Sequence, residues 1–543
     1  MNLKSWGTGF LAALVALALL LPAASATARP GDAGRDGRPN ILVVMTDDMA
    51  VPDLQFMPNV RRLLARQGTS FDNAITSFPL CCPSRATFLT GQYAHNNGVE
   101  GNFAPWGWYG MEGRDNTLPV WLDDVGYRTA LIGKWLNGYG AMDAHGEIPA
   151  GFDTWRGLLD VSAYDYQNFV MNQDGQLRTW GDPEFAMDLV RFAKVEVDDE
   201  PDSVASLYAA LEEQFGPRPY SYWGAENPDE YSPDVTGEMT EKLVKKEGRK
   251  RKPFFIWWSV AAPHREDVAT ALMGKPGPDP RPPARYADEV SSLSLPQPPS
   301  FNEPDISDKP TPVENAAVPM SDAIIEQLRL DYQGRAGSLM AVDDHVGDLV
   351  KTLKRTDQLK NTVIMFVSDN GWLQGEHRVT GDKFVPYDEA LRVPLIIRGP
   401  GVKKNSTVAG QVSNVDFAPT LLDFANAKPN RTVDGVSLLP TLRKPSKRPD
   451  RVLGIEALQP LFPGGNIPIN AWDQAYTGVR TDQYTYVVWT ASGETELYDR
   501  AADPYQLNNV SGDPAFAAIE ADLAAKLAQL QNCAGNACNV VTP

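Results

Sequence analysis

The residues best suited to chemistry lie in one short run, CCPSRATFLTG, at residues 81–91. Pro83 stands where proline is common in the first turn of a helix, so Cys81 is predicted to lie at a helix N-terminus. Backbone N–H groups at such a terminus favour anions. Adjacent cysteines rarely bridge each other, so the pair needs another explanation. Either one of the two cysteines is a functional thiol beside an anion site, or both are reduced residues at the start of a structural helix.

Further polar residues follow four short apolar runs that are predicted to be buried parallel strands. The runs and the residues after them are 41–45 with Asp47 and Asp48, 129–132 with Lys134, 254–260 with His264, and 363–367 with Asp369 and Asn370. Helical spacing at 57–67 and 322–354 lies between strands, which indicates a mainly parallel α/β sheet. Ligands bind at the carboxyl edge of such sheets, so these side chains are expected to converge. Taken singly, each is also typical of a turn.

The run at 81–91 resembles the signature of the type I sulfatases, in which the cysteine of a Cys-x-Pro-Ser-Arg motif is oxidised to formylglycine. Only Cys81 has proline at +2 and arginine at +4, so Cys81 is the position that matches. The resemblance implies an α/β, alkaline-phosphatase-like sandwich. A large, mainly parallel central sheet would be flanked by helices, and a smaller C-terminal subdomain would hold an antiparallel sheet.

The resemblance also implies a metal site. The family binds a divalent cation, usually Ca²⁺, through two aspartates after the first strand and an Asp-Asn pair after a later one. The matching residues are Asp47, Asp48, Asp369 and Asn370, together with the modified Cys81. Their oxygen atoms suit a hard cation. Without the other motifs, the Asp47-Asp48 pair would be more typical of a helix N-cap.

Cationic side chains for the sulfate group are implied in the same way. Lys134 matches the family's Gly-Lys-aromatic segment, and Lys383 resembles its second lysine. His264 resembles the sulfate-contacting histidine and would protonate the leaving oxygen. Arg85 would face the metal and the formylglycine.

One departure from the commonest pattern indicates a branch of the family. Many sulfatases carry a histidine two residues after the first lysine, where this chain has Leu136, followed by Asn137. This stretch resembles N-acetylglucosamine-6-sulfatases and heparan 6-O-endosulfatases. His95 is a candidate for the missing histidine and for substrate binding. His377 is a candidate for shaping the pocket, whereas His345 is predicted to face solvent or to pack on a helix.

The chain is predicted to begin with a secretory signal segment. Lys4, an apolar stretch at 10–21 and Ala24-Ser25-Ala26 make residues 1–28 typical of a secretory signal. A retained anchor is the alternative, but the stretch is shorter than the roughly 20 residues of a membrane helix. We expect a linker at 29–39, a catalytic domain at 40–440 and a C-terminal subdomain at 441–543.

An exported protein can hold disulfides. Cys533 and Cys538 could therefore close a small loop, and the rival zinc site lacks two further ligands. The protein is expected to be extracellular, periplasmic or at the cell surface, or lysosomal in an animal, with no membrane span after signal removal.

Charge excludes one class of partner. The 543 residues include 50 Lys+Arg and 69 Asp+Glu, for a net charge of −19, which argues against nucleic acid. The run KKEGRKRK at 245–252 is typical of a solvated helix end, with polyanion binding as the alternative. The Pro-rich region at 274–312 is predicted to have little regular structure.

Together these features predict a sulfuric ester hydrolase in which a formylglycine hydrate attacks sulfur. The favoured substrate is a glycan such as a 6-O-sulfated N-acetylglucosamine. A formylglycine-generating enzyme would be the partner during maturation. The alternatives are a broad arylsulfatase, a phosphomonoesterase or phosphodiesterase of the same superfamily, and a non-enzymatic binder of sulfated glycans.

Overall fold

The computed structural model describes residues 37–102, 105–140, 145–187, 189–190, 230–266, 277–448, 450–459 and 474–541. The predicted signal segment at 1–28 lies outside these residues. Over the described part, no helix combines the length and the apolar content needed to cross a bilayer.

Sixteen strands are present in the described residues, and most belong to one large sheet. They are β1 (Asn40–Thr46), β2 (Thr69–Phe71), β3 (Ala74–Ile75), β4 (Arg128–Lys134), β5 (Thr154–Leu158), β6 (Phe169–Gln173), β7 (Gln176–Trp180), β8 (Phe254–Ser259), β9 (Thr362–Ser368), β10 (Leu395–Arg398), β11 (Ser406–Val408), β12 (Val412–Ser413), β13 (Leu453–Ala457), β14 (Tyr476–Arg480), β15 (Tyr484–Trp489) and β16 (Thr495–Asp499). The large sheet has ten strands in the order β11-β2-β10-β9-β1-β8-β4-β5-β6-β7.

The middle of this sheet is parallel, as predicted. Strand β1 pairs with β9 on one side and β8 on the other, β4 joins β8 and β5, and all of these pairings are parallel. Antiparallel pairings occur towards the two sides, between β9 and β10 and from β5 to β7. Near-continuous apolar strands are buried on both faces, which is the usual state of a parallel sheet covered by helices.

The helices of the described residues pack on both faces of the large sheet and on the C-terminal part of the chain. They are α1 (Cys81–Thr90), α2 (Ala94–Asn97), α3 (Gly107–Gly110), α4 (Leu118–Asp124), α5 (Ser232–Glu247), α6 (Ala284–Val290), α7 (Thr311–Ala316), α8 (Asp322–Arg355), α9 (Asp388–Leu391), α10 (Phe417–Ala425), α11 (Leu439–Arg443) and α12 (Ala517–Leu530). Alternate residues of β1 enter different cores, since side chains alternate along a strand. Ile41 and Val43 join the core that includes α1, whereas Leu42 and Val44 pack with α8.

Two local predictions are refined by the structure. The segment predicted to be helical at 57–67 is helical over 58–67, but mainly as a π turn at Val60–Leu64 followed by a 3-10 turn at Ala65–Gln67. The first residues of this segment are bound by helix α8, because the carboxylate of Asp343 accepts hydrogen bonds from the backbone N–H groups of Asn59 and Val60. The described part of the Pro-rich region has little regular structure, as predicted, apart from α6 directly after Pro283 and the start of α7.

The C-terminal part contains a second sheet. Strands β13 to β16 form an antiparallel sheet in sequence order, as predicted. Helix α12 packs on it through Leu523, Leu527 and Leu530. A disulfide joins Cys533 and Cys538 just beyond this helix.

Candidate active site

The carboxyl edge of the parallel strands carries the predicted residues. Asp47 and Asp48 follow β1, Lys134 ends β4, and Asp369 and Asn370 follow β9, all at most 2% exposed. Because β1 and β9 pair in register from Asn40 with Thr362 to Thr46 with Ser368, the two acidic segments leave the sheet side by side. The loop after β8 adds His264, and α1 adds Cys81 at its first position.

Cys81 lies between an aspartate and a lysine. Its Sγ atom is 3.3 Å from Asp47 Oδ1 and 3.3 Å from Lys383 Nζ. Burial and then the charge of Asp47 raise the pKa of the Cys81 thiol well above its usual range. The unmodified side chain is therefore a neutral thiol at physiological pH and a poor nucleophile.

Asp47 is held by two cations. Lys134 Nζ lies 2.5 Å from Asp47 Oδ2, and Arg85 Nη2 lies 3.3 Å from the same oxygen. Burial opposes ionisation, yet Lys134 and Arg85 keep the pKa of Asp47 well below its usual range. Burial likewise disfavours charge on Lys134, but Asp47 raises the pKa of this lysine above its usual value. Both side chains are thus charged.

Asp48 contacts the remaining residues at this edge of the sheet, which are Lys383, Asn370 and His264. Lys383 Nζ donates to both of its carboxylate oxygens, at 2.5 and 2.7 Å, and Asn370 Nδ2 donates to Oδ1 at 2.6 Å. His264 Nε2 lies 3.5 Å from Asp48 Oδ2. The backbone of Asp48 is in the left-handed region, with φ of 62°, so surrounding contacts must hold it there.

Arg85 reaches from α1 to the sheet edge. Its Nε donates to Asp369 Oδ2 at 2.8 Å, and Nη1 donates to Ser259 Oγ at 2.7 Å. Burial and the negative charge of Asp47 raise the pKa of Asp369 to about 6, against the effect of Arg85. Both oxygens of Asp369 accept hydrogen bonds, Oδ1 from the backbone N–H groups of Asp48 and Asn370.

The cluster has the donor atoms of a cation site. Ligand atoms of Asp47, Asp48, Cys81 and His264 all lie within 4.8 Å of one another. Asn370 Oδ1 is buried and has no hydrogen-bond partner in the described residues. Carboxylate and amide oxygens are what Ca²⁺ prefers, so these residues fit the implied cation. His264 Nε2 lies beside these oxygen atoms, and Asp369 is engaged in hydrogen bonds.

His264 is fixed on several sides. Its Nδ1 is 2.7 Å from the carbonyl oxygen of Arg265, and the carbonyl of His264 accepts from the Tyr166 hydroxyl at 2.8 Å. The imidazole stacks on Tyr164 with ring centroids 4.2 Å apart. These contacts direct Nε2 towards the carboxylate cluster.

Three further residues complete the site and were not predicted. Tyr164 lies beneath Lys134 Nζ at 4.6 Å, Trp372 lies beneath Lys383 Nζ at 5.2 Å, and buried Arg335 donates to the carbonyl oxygens of Asp48 and Pro263. Arg335 comes from the middle of α8, where no local pattern distinguishes it. Ser259, by contrast, ends β8, and the rule for strand ends could have found it.

Three other histidines contact acidic residues elsewhere, and His345 packs against a helix, as predicted. His95 Nδ1 is 2.7 Å from Glu456 Oε2, and Nε2 is 3.0 Å from the Cys533 carbonyl oxygen, so both ring nitrogens bind the C-terminal part of the chain. His95 therefore has a structural role there, and its part in substrate binding stays a prediction. His377 is buried with Nδ1 2.7 Å from Glu303, in the loop before Lys383. His345 lies between Asp234 and Glu241.

The sulfatase family profile matches residues 39–427, which include every residue of the cluster. The chain belongs to the sulfatase family. A second profile, described as N-sulphoglucosamine sulphohydrolase, C-terminal, matches residues 375–533 of this sulfatase. Membership makes the protein a sulfuric ester hydrolase.

Individual proteins are similar to this chain in sequence or in fold. The sulfatase is 29% identical over 554 residues to an N-acetylglucosamine-6-sulfatase of Capra hircus, covering 94% of this chain and 86% of the relative. A solved structure described as bound to its substrate D-glucosamine-2-N,6-O-disulfate shares the fold, with a TM-score of 0.69, 23% identity and coverage of 91% and 97%. A phosphonate monoester hydrolase of Agrobacterium radiobacter shares it with a TM-score of 0.60, 22% identity and coverage of 91% and 95%.

Proposed function

We propose that this sulfatase releases inorganic sulfate from an O-sulfated glycan, with a 6-O-sulfated N-acetylglucosamine as the favoured unit. The observation that carries the proposal is the position of Cys81 at the start of α1, with its Sγ 3.3 Å from both Asp47 and Lys383. Converted to formylglycine, residue 81 would supply a hydrate whose hydroxyl group attacks sulfur. A bound Ca²⁺, held by Asp47, Asp48, Asn370 and residue 81, with Asp369 beside them, would stabilise negative charge and lower the pKa of a neighbouring hydroxyl.

The chain's own cations receive the sulfate group. Lys134, Lys383 and Arg85 balance the three carboxylates of Asp47, Asp48 and Asp369 when all six are charged. A divalent cation added to this balanced set makes the centre positive, which favours an anionic ester despite the net charge of −19. Charge on the sulfuryl oxygens is then stabilised by groups that are already in place.

His264 is the candidate general acid. Nδ1 faces a carbonyl oxygen and must carry a proton to donate to it, which leaves Nε2 to exchange the second proton. The Asp48 carboxylate lies 3.5 Å from Nε2 and can accept a hydrogen bond from it. Protonated His264 would give this proton to the oxygen of the leaving alcohol.

The substrate class rests on fewer observations. Leu136 and Asn137 stand where many sulfatases have a histidine-containing stretch, and the goat relative is named for N-acetylglucosamine 6-sulfate. Both support a sulfated glucosamine over an aryl sulfate. The phosphonate monoester hydrolase has the same fold, so a phosphate or phosphonate ester belongs in the test.

The test measures hydrolysis by full-length protein whose formylglycine has been verified by mass spectrometry. We expect sulfate release from N-acetylglucosamine 6-sulfate to exceed release from 4-nitrophenyl sulfate and phosphate release from 4-nitrophenyl phosphate. Cys81→Ala and Cys81→Ser should abolish multiple turnover, whereas Cys82→Ala, at the neighbouring buried thiol, should retain it. Normal turnover by either Cys81 variant would contradict the mechanism. Faster cleavage of the phosphate ester would reassign the substrate.

We also propose that the protein is exported, with residues 1–28 as its signal and a formylglycine-generating enzyme as its partner in maturation. The signal pattern and the disulfide between Cys533 and Cys538 support an oxidising destination. Expression of the whole chain, followed by N-terminal sequencing of the secreted product, would locate the cleavage site. Protein that stays inside the cell with residues 1–28 attached would contradict the proposal.

A further inference from the structure

A strongly basic surface lies at the edge of the sheet opposite the active site. The run at 245–252 links α5 to β8, and its basic side chains Lys245, Lys246, Arg249, Lys250, Arg251 and Lys252 are all exposed. Strand β8 then runs six residues before the chain reaches the active-site edge. At 3.3 Å per residue, this separates the run from the catalytic cluster by about 20 Å. The run is therefore no part of the site described above.

A second basic segment meets the first. Lys351, Lys354, Arg355 and Lys360 are exposed around the C-terminal end of α8. Gly248 lies against this end, since a Cβ atom placed on it would be 3.0 Å from Gln358 Cγ and 3.5 Å from Thr356 Oγ1. Asn40, at the start of β1, joins the two segments by accepting from the backbone N–H of Phe254 and donating to Gln358.

Acidic residues reduce this charge only in part. Glu247 is buried and pairs with Lys250 at 2.9 Å, and Asp348 pairs with Lys351 at 3.3 Å. Asp357 is exposed beside Lys354, and Asp123 lies near Lys252. Cations still outnumber carboxylates here, in a protein whose overall charge is −19. Such a local excess attracts a polyanion that the rest of the surface repels.

We propose that this basic face, residues 245–252 and 351–360, is a secondary binding site for a sulfated glycan chain. Long lysine and arginine side chains suit the irregular sulfate spacing of such a polymer. Neither segment contains an aromatic residue, which disfavours single-stranded nucleic acid because its binding sites stack bases on aromatic rings. The preference for a glycan rests on the proposed function, while the excess of positive charge does not.

The face would hold the enzyme on its polymer. A chain bound about 20 Å from the active site keeps other sulfated units of the same or neighbouring chains at high local concentration. Hydrolysis of a sulfated monosaccharide, which is too short to reach both places, would not depend on the face. This difference between polymer and monosaccharide gives the proposal its test.

The experiment uses heparin as the probe and the full-length protein carrying Cys81→Ala, so that binding is measured without turnover. The test variant adds Arg249→Gln, Arg251→Gln and Lys252→Gln. The matched control adds Lys403→Gln, Lys404→Gln and Lys447→Gln, which remove the same charge from three other exposed positions. Excess N-acetylglucosamine 6-sulfate occupies the active site during the titration.

We expect the test variant to bind heparin at least about tenfold more weakly, with a shallower dependence on salt, and the control to change by less than about twofold. Equal weakening in both variants, or none in the first, would overturn the proposal. Tighter binding of a single-stranded oligonucleotide or of phosphatidylserine vesicles than of heparin would overturn the choice of partner. Sulfate release from the monosaccharide, measured with Cys81 intact, tests the proposed function separately and should be equal in both variants.

Discussion

Arg335 Nη2 donates a hydrogen bond to the main-chain carbonyl oxygen of Asp48 at 2.7 Å, across 287 positions of sequence. The same guanidinium donates through Nη1 to the carbonyl oxygen of Pro263 at 3.2 Å and through Nη2 to Asp53 Oδ2 at 2.8 Å. One side chain of α8 therefore fixes the loop after β1 and the loop after β8. These loops carry the strained Asp48 and the candidate acid His264.

Replacing Arg335 is predicted to impair the site beyond its effect on stability. Arg335→Met leaves the Asp53 carboxylate buried without its partner, which costs about 3 kcal/mol in the free energy of unfolding. It also releases the backbone of Asp48 and Pro263. We expect kcat to fall by roughly 100-fold, since small displacements of catalytic groups have large effects on rate. Urea unfolding and steady-state kinetics measure the two effects.

The double variant Arg335→Met with Asp53→Asn separates the loss of stability from the loss of catalytic rate. Removing both partners avoids a lone buried charge, so most of the stability should return. The rate should stay low, because neither carbonyl oxygen regains its donor. Recovery of kcat together with stability would show that Arg335 has only a structural role.

Tyr164 is predicted to contact the sugar ring of the substrate. It is only partly buried, it stacks on His264, it lies under Lys134, and its hydroxyl accepts from Asn137 Nδ2 at 2.8 Å. Tyr164→Ala should raise KM for N-acetylglucosamine 6-sulfate by about tenfold, an amount typical of a lost aromatic contact. Tyr164→Phe keeps the ring and should change KM by less than about threefold.

A compact aryl ester provides the comparison for Tyr164. If the ring recognises the sugar, the ratio of kcat/KM between N-acetylglucosamine 6-sulfate and 4-nitrophenyl sulfate should fall in Tyr164→Ala. An equal loss for both esters would instead assign Tyr164 to holding His264.

Calcium binding is predicted to depend on Asn370. At a Ca²⁺ concentration 100 times Kd, a site present only in the folded protein adds about 2.7 kcal/mol to the free energy of unfolding. Asn370→Ala removes the unpaired Oδ1 atom and should abolish most of this gain. Asn172→Ala, at another buried asparagine, should lower stability but preserve the response to Ca²⁺. Chelation by EDTA should reverse the gain in wild type, and an unchanged melting temperature would contradict a cation site.

Stability is predicted to fall between pH 6.5 and 9 through His95. Burial opposes its protonation, but the hydrogen bond that the ring N–H donates to Glu456 prevails and raises the pKa of His95 from 6.5 to about 9. Because the pKa of His95 is higher in the folded state, its protonated ring stabilises the folded protein fully below pH 6.5. This stabilisation is lost as the pH rises through 9. His95→Gln should reduce this fall in unfolding free energy by about 2 kcal/mol.

His345 offers a matched comparison, because Asp234 and Glu241 raise its pKa to about 9 against the effect of burial. His345→Gln should remove a similar part of the same pH dependence, and the double variant should show a weaker pH dependence than either single variant. A pH profile of His95→Gln that matches the wild type would show that Glu456 does not bind a protonated ring.

The parallel strands and the residues at their ends were predictable from short apolar runs that stop at polar residues, since burial on both faces leaves a clear pattern. The convergence of Asp48 and Asn370 followed from the common edge of those strands. Tyr164 and Arg335 were not predictable, because their positions depend on how a turn and a long helix pack on the sheet. His95 was assigned from its motif, but its surroundings are set by Glu456 and Cys533, more than 350 residues away.

The depth of Cys81 has a consequence for the order of events during synthesis. Its side chain is 1% exposed, and its contact Lys383 enters the chain 302 residues later. Strand β1 likewise cannot pair with β9 until β9 has been synthesised, and pairings between strands so distant in sequence form slowly. During this interval the segment at 81–91 is an open peptide, whereas afterwards it is closed to any second enzyme. The conversion proposed for Cys81 would therefore have to precede closure of the sheet, and slower closure would raise the fraction of active molecules.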